Sequence, residues 1–278
     1  MPLPLVHANG AAIPPIGLGT SQLLGDTCIE AVSTALRAGY RFIDTAARYE
    51  NEEAVGQGLR VSGVPRAEIF LLTKVYWTML AAADFERSTE DSLKRLGVSE
   101  VDCLLIHWPN PKVPLAETVA ALNKMQRRGL TRHVGIANFT AALIDEAVKL
   151  SDAPLVVNQC EYHPYLDQAK VLGPCRKHGL AFMSYSPLRQ AAAGGPLEDT
   201  VIARIAAEKG VSAAQVILRW HIQQPGVIAI PRSANPQRIA QNIALEGFSL
   251  SDGEMASISA LARPDGRKVK PAHSPQWD

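Results

Sequence analysis

Seven apolar runs in this 278-residue chain end on a side chain that can bind, donate or accept a proton. Asp44 closes Arg41-Phe42-Ile43, Lys74 closes the run from Ile69, and His107 closes Val101 to Ile106. Asn138, Asn158-Gln159, Tyr185 and Arg232-Ser233 close the later runs, and Tyr49 follows Asp44 at short range. Carboxylate, ammonium, imidazole and phenol together can deliver a proton to a polarised oxygen. A phenol with an ordinary pKa near ~10 donates poorly at neutral pH, and a neighbouring cation stabilises its phenolate. Lys74 suits that role, and pairing with Asp44 would limit the cost of burying its ammonium. His107 can orient a carbonyl or relay a proton. Other readings use the same residues: Asp44 and Lys74 as a structural ion pair, Tyr49 as a rim aromatic, or Lys74 as a Schiff-base nucleophile in a lyase. One polar strand end is ordinary, because strands leave the core there. Seven in succession point to one functional face.

The elements that must position these groups alternate regularly. Eight short apolar runs begin at Ile16-Gly17-Leu18-Gly19 and end at Val227-Ala229 with Ile230, each followed by a stretch at helical period. Continuous apolar strands separated by helices indicate a parallel sheet buried on both faces. Eight units predict a closed (β/α)8 barrel (a TIM barrel, α/β class), in which all the strand ends converge on one face. Asn9-Gly10 between two apolar stretches predicts a β-hairpin ahead of the barrel, plugging its N-terminal end. Extra helices are expected at 200–209 and 251–261, and the tail from Arg263 as a surface loop. No composition break marks a linker, so residues 1–278 are expected to form a single barrel domain.

Composition narrows the function. Charge is balanced at +1, with 28 basic and 27 acidic residues, which excludes the electrostatic footprint of a nucleic-acid partner. Cys28, Cys103, Cys160 and Cys175 form no C-x-x-C pair, so buried thiols rather than metal ligands are expected, and no metal. There is no apolar run of bilayer-spanning length and no basic-then-apolar leader, so a soluble, cytoplasmic protein without a membrane partner is expected. A monomer is a separate expectation.

Together, Asp44-x-x-x-x-Tyr49, Thr73-Lys74 and His107-Trp108-Pro109 resemble the catalytic signatures of the aldo-keto reductases, and the overall length and short tail resemble those of bacterial members similar to diketogluconate reductases. Gly17-Leu18-Gly19-Thr20, Asn51 to Gly56, Asn158 to Pro164 and Ile230-Pro231-Arg232-Ser233 match in the same order. The resemblance covers about residues 5–266 and implies an NADPH-dependent carbonyl reductase with Tyr49 as proton donor, aided by Asp44, Lys74 and His107. It implies that Asn138 and Gln159 meet the nicotinamide carboxamide while Tyr185 stacks on the ring, with Ser186 and Leu188 following. Arg232, Ser233, Asn235 and Arg238 would hold the adenosine 2′-phosphate at a helix start where Asn235-Pro236 reads as cap and first residue. Gln241 and Asn242 would reach the adenine or ribose, and Gly19-Thr20 would approach the cofactor. The Gly17 to Gln22 stretch lacks the third glycine of a Rossmann fingerprint.

Several positions depart from the family pattern. Ala137 replaces a usual serine, Arg232 a usual lysine, and Tyr76 a usual tryptophan, with Trp77 next to it. Tyr76, Trp77, Trp108 and the tail near Trp277 predict an apolar, aromatic-walled pocket for small carbonyls: aldehydes, dicarbonyls or keto-sugars. Gly194-Gly195 would let a loop fold over the pyrophosphate. A redox-sensing barrel that keeps the cofactor is a competing reading.

Overall fold

The computed structural model describes residues 3–189 and 194–277. The chain enters through a hairpin of β1 (Val6–Ala8) and β2 (Ala11–Ile13). Asn9 and Gly10 turn it at φ 44° and 89°, the paired left-handed geometry of a type I′ turn. The Asn9 amide donates to the carbonyls of Leu155 and His178, fastening the hairpin beneath the barrel.

Eight parallel strands follow in sequential order: β3 (Leu18–Gly19), β4 (Phe42–Asp44), β5 (Phe70–Val75), β6 (Val101–Ile106), β7 (Thr131–Ala137), β8 (Leu155–Glu161), β9 (Ala181–Tyr185) and β10 (Val227–Ala229). The seam closes where Gly17 N donates to Ala229 O, Ala229 N to Pro15 O and Gly19 N to Pro231 O. The result is a (β/α)8 barrel with both edge strands paired. Gly19 belongs to that seam, since a Cβ there would stand 3.0 Å from Ile230 O.

The helices are α1 (Gly25–Arg37), α2 (Glu52–Ser62), α3 (Ala82–Leu96), α4 (Leu115–Arg127), α5 (Ala141–Leu150), α6 (Ala169–Lys177), α7 (Thr200–Lys209), α8 (Ala213–Gln223), α9 (Pro236–Ile243) and α10 (Asp252–Ser259). The strands divide two cores between their faces. Phe42, Leu72, Leu105, Val157, Met183 and Ile228 fill the barrel above Ala8, Ala11 and Ile13 of the hairpin, which therefore forms its floor. Ile43, Leu71, Leu104 and Ile106 point outward against Leu36, Phe85, Leu122 and Trp220 of the helices. Burial on both faces explains why the strands read as continuous apolar runs. Cys28, Cys103, Cys160 and Cys175 are buried and free. Among the described residues no helix is long and apolar enough to cross a membrane.

Candidate active site

Strand register sets the site. Asp44 lies beside Gly19 and Leu72, and Lys74 beside Leu105, so the carboxylate and ammonium project from neighbouring strands at the same end. Lys74 Nζ lies 2.8 Å from Asp44 Oδ1, 2.8 Å from Thr45 O and 3.4 Å from Tyr49 Oη. Its three protons therefore have three oxygen acceptors. Gln159 Nε2 donates to Asp44 Oδ2 at 2.7 Å, so one chain of contacts runs Gln159–Asp44–Lys74–Tyr49. The His107 ring meets Tyr49 edge-on at 5.7 Å.

Burial dominates the electrostatics. It works against the Lys74 ammonium, but Asp44 and Tyr49 more than offset it and leave the Lys74 pKa raised. Burial pushes the Asp44 carboxyl up, while Lys74 and Gln159 pull it back. Burial likewise raises the Tyr49 phenol, and Lys74 opposes that rise without cancelling it. Lys74 lowers the Tyr49 pKa as its charge requires, but desolvation outweighs it, so the phenol rests protonated. Burial, then the charges of Lys74, His273 and Arg48, drive His107 well below the usual imidazole range, so that ring is neutral. A charged Lys74 with every proton engaged is no Schiff-base nucleophile, which removes support for the lyase reading.

A supporting layer was visible in the sequence motifs without an assigned job. Asn51 Nδ2 donates to Thr20 O and Leu23 O, and Thr45 Oγ1 donates to Asn51 Oδ1. Asn51 thus ties the ends of β3 and β4 together. Glu52, 1% exposed, accepts from Thr73 Oγ1 at 2.6 Å and takes a two-pronged contact from Arg95. The residue before Lys74 is held to α2 in this way. Thr20 has a similar duty, as its hydroxyl and its backbone N–H both donate to Asp44 O.

The later strand ends supply the remaining candidates. Asn138 adopts φ 63°, a left-handed conformation that asparagine tolerates better than most residues. Its Nδ2 donates to His107 O, and its Oδ1 accepts from Tyr185 Oη. Tyr185 at the end of β9, and Ser186 and Leu188 beyond it, are half-buried. Gly194-Gly195 adjoin residues 190–193, which lie outside the described part, so the fold-over of that loop is a separate matter from the site geometry. Asn235 caps α9, accepting from Arg238 N, with Pro236 as the first helical residue. Arg232, Asn235, Arg238 and Gln241 are exposed, Ser233 is half-buried, and Asn242 is buried. Neither Arg232 nor Arg238 has an ion-pair partner among the described residues.

Tyr76, Trp77 and Trp108 do come together, but the tail residue that joins them is His273. Its ring stacks on Trp77 at 4.6 Å and 10°, and meets Trp108 and Tyr76 edge-on at 5.3 and 5.7 Å. The tail near Trp277 thus reaches the cluster through His273, while Trp277 itself carries the Arg267 guanidinium 3.5 Å above its ring. No sequence signal marked His273, which sits in an irregular segment. Beside this cluster a cleft of about 770 Å³ opens between Pro109–Leu115 and the tail, with Trp77 and His273 on its wall. Asp44, Tyr49, Lys74 and His107 do not line that cleft.

Comparison with known proteins agrees with this arrangement. Residues 15–263 match the model of the aldo/keto reductase family. The chain is 41% identical to methylglyoxal reductase DkgB of Escherichia coli, over 96% of this chain and all of that one. A solved structure assigned provisionally as a 2,5-diketo-D-gluconic acid reductase B shares 42% identity at a TM-score of 0.96, covering 99% of this chain and 98% of its own. An aldo-keto reductase of Bombyx mori solved in complex with NADP superposes at a TM-score of 0.89 with 34% identity, covering 98% of this chain and 96% of its own. Barrel, strand-end residues and these end-to-end matches agree: the chain belongs to the aldo/keto reductase family.

Proposed function

We propose that the protein is an NADPH-dependent carbonyl reductase in which Tyr49 gives its proton to the carbonyl oxygen. The observation that carries this reading is the contact chain Gln159–Asp44–Lys74–Tyr49, ending at the Tyr49 phenol with the His107 ring edge-on to it. The cofactor, when bound, supplies hydride to the carbonyl carbon.

The residues present fit such a cofactor. Two exposed guanidiniums with no ion-pair partner among the described residues stand at the start of α9, where backbone N–H groups also favour an anion. This donor set favours a phosphate-bearing cofactor over one lacking the 2′-phosphate, in keeping with the Bombyx mori relative solved with NADP. The half-buried Tyr185 ring offers a stacking face, the Asn138 amide lies beside it, and the Gln159 amide closes the neighbouring strand β8.

As the carbonyl oxygen gains charge, the Tyr49 O–H bond breaks and the proton passes to that oxygen. Lys74 stabilises the phenolate left behind, while Asp44 and Thr45 O keep its ammonium aimed at the phenol. The neutral His107 holds the substrate oxygen by a hydrogen bond. Tyr76 and Trp77, with Trp108 joined to them through His273, wall the substrate from water, suiting small aldehydes, dicarbonyls and keto-sugars.

The test is Tyr49→Phe, with NADPH consumption followed over methylglyoxal, aromatic aldehydes and keto-sugars and with NADPH binding measured by fluorescence titration. Turnover should nearly vanish while cofactor affinity stays close to wild type. Wild-type-like turnover in the variant would sink the assignment.

A further inference from the structure

The carboxylate of Glu161 has no part in the chemistry above, yet it is completely buried at the end of β8. It accepts from Lys268 N at 3.0 and 3.1 Å, one contact to each oxygen, and from Val269 N at 2.9 Å. His163 Nε2, also fully buried, stands 3.4 Å from Oε1. Burial pushes this carboxyl up, but His163 and the two backbone N–H groups leave its pKa below the usual value. An ionised carboxylate in the interior is costly unless it is satisfied, and here its partners are mostly main chain of the C-terminal tail.

The tail has a second fixed point upstream. Arg263 N donates to Tyr165 O, and the Arg263 guanidinium lies 3.7 Å over the Tyr165 ring. A Cβ on Gly266 would stand 1.8 Å from Tyr165 O, so only glycine allows so close a passage of two backbones. Downstream of Val269 the tail reaches His273, stacked on Trp77 and edge-on to Trp108 and Tyr76. Hence one side of the aromatic wall is held by a segment whose backbone is tied to β8.

We propose that Glu161 is a positioning residue for substrate selection: by clasping Lys268 and Val269 it fixes His273 against Trp77 as one wall of the carbonyl pocket. The proposal rests on the carbonyl-reductase reading for its consequence, though not for the clasp itself. Substrates with an aromatic ring should depend on this wall, whereas a dicarbonyl as small as methylglyoxal should depend on it little.

Two readouts test it in the full chain. Hydrogen exchange at the Lys268 and Val269 amides needs no turnover, and in Glu161→Ala it should accelerate by about tenfold or more, as expected for losing bonds to a charged acceptor. The ratio of kcat/KM for para-nitrobenzaldehyde to that for methylglyoxal should fall on the order of fivefold in Glu161→Ala. It should fall likewise in His273→Ala, with exchange at Lys268 and Val269 unchanged. Glu161→Gln keeps one acceptor oxygen at the same place and should give intermediate values, and it replaces the alanine variant should that one fail to fold. Unchanged exchange at both amides overturns the clasp. Accelerated exchange with an unchanged selectivity ratio in both the Glu161 and His273 variants overturns the link to substrate choice. A wild-type chain inactive on every carbonyl would instead strike the reductase reading, and the exchange measurement would still decide the clasp.

Discussion

Lys74→Met removes the cation behind Tyr49 while keeping a long, unbranched side chain in its place. At the observed 3.4 Å between Nζ and Oη, an effective dielectric of about 20 gives an interaction of about 5 kcal/mol, or between three and four pKa units. Tyr49 already sits above its ordinary value through burial, with Lys74 opposing; without the cation it becomes a still weaker acid. Because the proton is only partly transferred in the transition state, only part of this energy reaches the rate. We expect kcat to fall by about two to three powers of ten. The fold should survive, because Asp44 is not left as a stranded charge. Burial raises its carboxyl and Lys74 is the first group pulling it back, so in the variant it takes up a proton and keeps Gln159 as a partner. The assay is single-turnover NADPH oxidation at neutral and mildly alkaline pH, with urea unfolding as the control for stability. A folded Lys74→Met protein within about tenfold of wild type would show that phenolate stabilisation is not what Lys74 contributes.

The sequence carried the barrel because its signal is local. Each buried strand is a short apolar run, and a charged or titratable residue at its end marks the side that faces the site, as at Asp44, Lys74 and His107. The hairpin was equally legible, since Asn9-Gly10 admits few other geometries. What escaped was whatever depends on contacts between distant segments. Glu52 reads as an ordinary acid at a helix start, and only the fold brings Thr73 and Arg95 onto it. Glu161 follows Gln159 by two positions and looks like another strand-end polar group, but the main-chain N–H groups that clasp it lie more than a hundred residues away. His273 lies in a segment with no periodicity, so nothing local could pair it with Trp77 rather than give that role to Trp277. The sign of the Tyr49 shift escaped for another reason: spacing shows a cation nearby but says nothing of how dry the pocket is.

The exposed arginines at α9 give a direct test of cofactor choice. Replacing both Arg232 and Arg238 by alanine should raise the Kd for NADPH by about ten- to a hundredfold at low salt and leave NADH within about twofold; equal loss for both would remove the phosphate site. His221 predicts how stability varies with pH. Its ring is fully buried against Tyr162 and Trp220, and burial pushes its pKa down to about 3, against a backbone contact at Pro187 that acts upward. Below the ordinary value of 6.5 the unfolded chain binds a proton that the folded chain refuses. Its contribution is therefore present above 6.5 and is lost as pH falls toward 3, at a slope approaching about 1.4 kcal/mol per pH unit. His107, also shifted down by burial, adds a slope of the same sign. His221→Phe keeps an aromatic ring without the titration, so its urea midpoints between neutral and acidic pH should decline less steeply by about one proton's worth. Parallel declines in the two proteins would mean that His221 is free to take up its proton in the folded barrel, which its complete burial forbids.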